Sequence, residues 1–172
     1  MDNDQERIVF INDPISDDTS SVVIDRLHFL DSKDPFKPIH LYINSDGGSV
    51  NAGLAIYDAM QDIRSRISTL CMGQACSIGS LLLAAGAPGE RRALPYSEIM
   101  IHQPYCEISG QVGVMTICVK EILKVYDRLN KIYSRHTGQP IQRIEQCMEC
   151  NMDMSPVEAK EFGLVDEVIV LP

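Results

Sequence analysis

The 172-residue sequence predicts an α/β protein, a mostly parallel β-sheet with flanking helices. Two observations carry that reading. Short apolar runs of β character alternate with helical apolar patterns from Arg7 to Ala85, and a β-α-β-α order needs crossovers that leave successive strands parallel. Farther on, one apolar stripe continues at alternating four- and three-residue spacing, which marks a single long helix. No repeat, linker or low-complexity tract interrupts the pattern, so residues 1–172 read as one domain, large enough for its own core.

Arg7 to Ile11 reads as the first strand. A helix from Asp18 to Leu30 follows, with Val22, Val23, Leu27 and Leu30 on its apolar side, and leads to a strand from Pro38 to Ile43. Helix Ala52 to Ile63, strand Ser68 to Met72 and helix Ile78 to Ala85 come next, then short strands Arg91 to Leu94 and Glu98 to Ile101. The long helix runs over about 111–136, carrying Met115, Val119, Ile122, Tyr126, Leu129 and Tyr133, and Gly138 supplies its stop. Ser155-Pro156-Val157-Glu158 is a capping box that opens a last helix, ended by Gly163 before a strand from Val165 to Val170.

The formal charge of −9 excludes a nucleic-acid surface, which needs clustered Lys and Arg; Arg91-Arg92 is too short a run to count. The start, Met1-Asp2-Asn3-Asp4, is acidic and polar, and no stretch approaches a membrane span, so a cytoplasmic protein with no membrane contact is expected. Six Cys, at 71, 76, 106, 118, 147 and 150, invite a disulfide or zinc reading. The cytosol keeps thiols reduced, and Cys147-x-x-Cys150 lacks a second ligand pair at zinc spacing, so neither metal nor cofactor is called for. Cys76 is the thiol through which a reagent would block its neighbour, Ser77.

Three segments carry candidate chemistry. Ala75-Cys76-Ser77-Ile78-Gly79 sets a hydroxyl between small residues where a β run becomes an apolar helix, the place for a nucleophile on a tight turn with backbone N–H groups free for an oxyanion. Asn44-Ser45-Asp46-Gly47-Gly48 ends a strand with a pair able to reach positive φ and bring bare N–H groups to a ligand. Glu98 to Pro104 places His102 at a strand end before a Pro-containing loop. Each has a plainer reading alone: an N-cap serine, a turn, a structural histidine. Together they are hard to explain as packing. An esterase of the α/β-hydrolase type is disfavoured, because it needs the order Ser, Asp, His, and the candidate pair Asp127 and His136 lies on one helix.

These residues resemble the Clp protease proteolytic subunit (ClpP) family. The matching stretches include Glu6-Arg7-Ile8-Val9-Phe10, Leu41-Tyr42-Ile43-Asn44-Ser45, Cys71-Met72-Gly73-Gln74-Ala75, Met100-Ile101-His102-Gln103-Pro104, His136-Thr137-Gly138-Gln139 and Glu158 to Asp166, all in one register. The resemblance implies a crotonase-like ClpP fold and a serine endopeptidase whose subunits form heptameric rings, stacked as a tetradecamer around a sealed chamber. The long helix becomes the handle that reaches the opposite ring, so part of its stripe would be buried only in the assembly. By position, Ser77 resembles the nucleophile, His102 the general base, and the N–H groups of Gly48 and Ile78 the oxyanion hole. The third triad position falls at Asn151, where the family usually has Asp.

That departure removes the charge which stabilises the imidazolium, although an Asn oxygen can still orient a His ring. Asp153, two residues on, is a carboxylate that could serve there. Other departures gather nearby. Asp46 replaces the usual Pro of the Gly-Gly loop, Cys106-Glu107 replace a Gly-Gly after His-Gln-Pro, and Cys150 replaces an Arg that helps pair the rings. The resemblance also implies an AAA+ unfoldase partner, peptide and unfolded-protein substrates, and an apolar docking pocket. The positions matched to that pocket are His40, Tyr42, Leu70, Met72, Arg92 and Leu94, of which His40 and Arg92 break the apolar pattern. The family's axial-pore segment ahead of Glu6 is expected to be lacking. The sum points to a peptidase weakly active alone, or to a structural subunit of a mixed barrel beside a second ClpP isoform.

Overall fold

The computed structural model describes residues 7–104 and 109–170; Cys106 and Glu107 lie outside them. Strands β1 (Ile8–Ile11), β2 (Ile39–Ser45) and β3 (Ile67–Cys76) pair in parallel in that order. β3 then forks. Its first half, Thr69 to Cys71, pairs in parallel with β4 (Arg91–Ala93), which pairs with β7 (Glu167–Val168). Its second half, Gln74 to Cys76, pairs in parallel with β5 (Glu98–Ile101), and β5 takes β6 (Met152–Met154) in antiparallel register. The fork carries β5 and β6 to the end of β3, beside Ser77.

The helices are α1 (Asp17–Lys33), α2 (Val50–Asp62), α3 (Ile78–Ala84), α4 (Val112–Thr137), α5 (Ile141–Cys150) and α6 (Pro156–Phe162). Caps set several ends as the residue types require. Ser16 and Ser49 accept N–H bonds at the starts of α1 and α2, Ser155 and Glu158 form the full capping box of α6, and Gly138 and Gly163 close α4 and α6 in the left-handed region. In α1 the buried positions are Ser20, Val23, Leu27 and Leu30. Val22, expected inside, is 69% exposed because it falls off that 3.6-residue stripe.

Alternation along the strands buries one sheet face, with Ile11, Ile39, Leu41, Ile43 and Cys71 fully enclosed against Leu27, Leu30 and Leu81 to Leu83. Each such aliphatic side chain contributes roughly 1.5–3 kcal/mol on burial. The helices therefore cover that face. The opposite face, with Phe10, Tyr42, Leu70 and Met72, stays partly exposed, which is uncommon for parallel strands. Helix α4 is divided in the same way. Leu129 and Tyr133 are buried, whereas Val112, Val114, Ile117, Val119 and Leu123 in its first half are 45–75% exposed.

Two buried arginines tie the periphery. Arg7 donates to the carbonyls of Leu30, Asp34, Lys37 and Pro38. Arg91 forks onto Asp166 at 2.9 and 2.6 Å and donates to the carbonyls of His136 and Gly163, both at 2.8 Å, which fixes the end of α4. There Tyr57 Oη meets His136 Nε2 at 3.0 Å. Burial, then the charges of Arg135 and Arg91, lower the His136 pKa to about 4, so the ring is neutral near pH 7. Among the described residues no helix is long and apolar enough to cross a membrane.

Candidate active site

Ser77 occupies the turn between β3 and α3 with φ 53° and ψ −125°. An L-residue there is strained by about 1–3 kcal/mol, and such strain persists only when the surroundings over-determine it. Here they do. The Ser77 N–H donates to Met100 O on β5 at 3.0 Å, and its carbonyl accepts from the Ser80 N–H at 3.0 Å and the Tyr133 hydroxyl at 2.8 Å. The hydroxyl of Ser80 adds a further contact to the same carbonyl at 2.8 Å. Ser77 itself remains half-buried.

The glycine pair lies directly against it. A Cβ on Gly47, at φ +104°, would come within 2.9 Å of Ser77 Cβ, and one on Gly48, at φ +140°, would meet Ile15 O at 2.3 Å. Only glycine passes between the two chains. The bridge to Ile15 uses Gly47 O and the Ser49 N–H, both at 2.7 Å, and among the described residues the Gly48 N–H has no acceptor. Ile78 opens α3, so its N–H belongs to the first turn and has no intrahelical acceptor.

His102 follows β5 by one residue. Its Nδ1 lies 2.6 Å from Gln103 O. A carbonyl only accepts, so Nδ1 carries the hydrogen and Nε2 keeps its lone pair. Asn151 caps the C-terminus of α5 at φ 48° and ψ 74°, exposed. The β5–β6 register ends with Ile101 against Met152, so His102 and Asn151 flank the last pair of that ladder. The Gln103 N–H donates to Met148 O at 3.2 Å and ties this loop to α5. Strand ends thus gather Ser77, His102 and Asn151, but among the described residues no hydrogen bond joins Ser77 to His102 or His102 to Asn151.

Asp153 pairs with Met100, which pairs with Cys76, so all three share one sheet face. Burial, then the carboxylates of Asp153, Glu98 and Asp46, push the Cys76 thiol up. At 7% exposure Cys76 is a poor target for a thiol reagent, contrary to the expectation from its position beside Ser77.

On the half-exposed sheet face, the positions matched to the docking pocket lie on adjacent strands, and Tyr42 pairs with Leu70 and Leu70 with Arg92. The polar members are not orphaned. His40 Nδ1 meets Ser68 Oγ at 2.6 Å, and Arg92 Nε donates to Glu167 at 3.0 Å.

A serine at a strained strand-to-helix turn, a glycine pair pressed against it and a histidine held through Nδ1 just past the neighbouring strand make up an arrangement that serine hydrolases use. Residues 3–171 match the family model for Clp protease, and the chain belongs to that family of ClpP-type peptidases. Sequence reasoning did not identify α5, β6, the Gln103 carbonyl or the Ser80–Tyr133 contacts. The spacing of Ile141, Ile144, Cys147 and Met148 after Pro140 was a legible signal for α5.

Proposed function

We propose that this chain is the proteolytic subunit of an ATP-dependent Clp protease, a serine endopeptidase with Ser77 as nucleophile and His102 as general base. Ser77 Oγ attacks the scissile carbonyl as its proton passes to His102 Nε2. The N–H groups of Gly48 and Ile78 receive the oxyanion, and His102 returns the proton to the leaving amine. Water then hydrolyses the acyl-enzyme by the same path. The observation that carries this reading is the over-determined turn at Ser77, φ 53°, with Gly47 against its Cβ.

Gln103 O already holds His102 Nδ1, and Asn151 brings no charge to stabilise the imidazolium. Activity of the chain alone is accordingly weak. The exposed apolar half of α4 supports assembly into heptameric rings that stack as a tetradecamer, with an AAA+ unfoldase supplying unfolded substrates. A fluorophosphonate that labels the wild type and not Ser77→Ala, with turnover of a fluorogenic peptide, would support the reading. A folded, assembled chain that is never labelled would overturn it.

A second reading is a structural subunit beside a complete second ClpP isoform. It is favoured by the missing His102 to Asn151 hydrogen bond. Labelling of Ser77 in the homomer would argue against it.

A further inference from the structure

Ser77 O belongs to the same peptide unit as the Ile78 N–H. In a planar trans peptide the carbonyl and the N–H point in opposite directions, so whatever holds the oxygen aims the hydrogen. On the oxygen side stand the Ser80 and Leu81 N–H groups of the first turn of α3, at 3.0 and 3.3 Å, and two side-chain hydroxyls. Tyr133 Oη donates to Ser77 O at 2.8 Å, Ser80 Oγ lies 2.8 Å from the same oxygen, and the two hydroxyls are 2.7 Å apart. Tyr133 is 2% exposed and Ser80 fully buried, so water does not compete for these contacts. Burial also raises the Tyr133 pKa, which keeps the phenol protonated and a donor.

We propose that Tyr133 and Ser80 are positioning residues of the peptidase site, which fix the Ser77–Ile78 peptide plane so that the Ile78 N–H points at the oxyanion. The inference rests on the reading of Ser77 as nucleophile and goes beyond it. The strained φ of Ser77 gives the role its purpose, because strain of that kind persists only where the surroundings over-determine the peptide. The Ser77 N–H to Met100 O bond holds the preceding peptide, and the hydroxyl pair, beside the Ser80 and Leu81 N–H groups, holds the following one. Tyr133 lies about three turns along α4 beyond Leu123, the end of the exposed apolar half, so the same helix that offers surface to a partner reaches the site at its other end. Hydrogen bonds to the carbonyl also polarise the peptide and make its N–H a better donor.

A donor that acts on the oxyanion is used in the transition state and hardly in the ground state, so its misalignment lowers kcat and spares KM. Tyr133→Phe keeps the ring and removes the hydroxyl; Ser80→Ala removes the other. Both would be compared with Leu129→Ala, which opens a cavity one turn before Tyr133 in the buried part of the same helix and leaves both hydroxyls in place. Readouts are the second-order rate of fluorophosphonate labelling per folded subunit, kcat and KM for a fluorogenic peptide, and Tm. Complete removal of an oxyanion donor costs about 10²–10³ in kcat, so a loosened one is expected to cost about tenfold in kcat and in labelling for Tyr133→Phe, with KM within about twofold. Ser80→Ala follows with a smaller loss, and Leu129→Ala lowers Tm while labelling as wild type does. Equal labelling and kcat in wild type and Tyr133→Phe, or the same loss in Leu129→Ala, overturns the inference alone. No labelling of Ser77 even in the wild type overturns the peptidase reading, and this inference with it.

Discussion

Replacing Asn151 with Asp tests whether the missing charge limits the rate. Position 151 is a left-handed helix cap, which Asp tolerates, and it is exposed, so the substitution costs little in folding. Residue 151 and His102 flank the last pair of the β5–β6 ladder, Ile101 with Met152. A unit charge about 5 Å from an imidazolium is worth roughly 0.8 kcal/mol in water and 3.3 at an effective dielectric of 20. Exposure favours the lower part of that range, and about 1.4 kcal/mol corresponds to tenfold in rate. The carboxylate must also draw Nδ1–H from Gln103 O, an exchange a charged acceptor wins over a neutral one. A rise of about tenfold in kcat/KM for a fluorogenic peptide is therefore expected, abolished by adding Ser77→Ala. An unchanged rate, with Ser77 labelled equally fast in both proteins, would refute the reasoning and move the limit to substrate access or ring pairing.

Three further expectations follow from particular contacts. Cys150, exposed where the family carries a ring-pairing Arg, removes a charged contact, so the homomer should sediment mainly as heptamers at low micromolar concentration; a tight double ring alone would contradict this. Docking of an apolar unfoldase loop would bury the His40–Ser68 and Arg92–Glu167 pairs, so unfoldase-dependent degradation of a folded protein by the homomer should be near background, and robust degradation would count against it. His136 has a folded pKa of about 4, depressed below the unfolded value near 6.5, so acid favours the unfolded chain. The stability it contributes is present above about pH 6.5 and lost as pH falls towards 4; urea midpoints of His136→Gln should fall less across that window than those of the wild type, and parallel curves would rule the contribution out.

What could be read from the residues divides by range. Helix and strand types followed from local periodicity and caps, and Ser16, Ser155, Gly138 and Gly163 act as their types require. The neighbourhood of Ser77, the Gly47–Gly48 strip and His102 was legible because each sits at a strand end, and parallel strands bring their ends to one edge. The fork of β3 was not legible. It depends on which half of a ten-residue strand each later strand chooses, a long-range pairing with no local signature. The same holds for the hydrogen-bond partners that decide the chemistry. A carbonyl on the next residue, Gln103 O, fixes the tautomer of His102, and a hydroxyl 56 residues away along the chain, on Tyr133, holds the carbonyl of Ser77. Tyr133 reads in sequence as one more apolar position on the α4 stripe, which is true of its ring. Its hydroxyl acquires a role only because Arg91 pins the end of α4 through His136 O and Gly163 O, and so sets where the last turns of that helix lie. A serine can announce itself by its flanking residues, whereas the groups that aim its peptide can be found only once the strands and helices are in place.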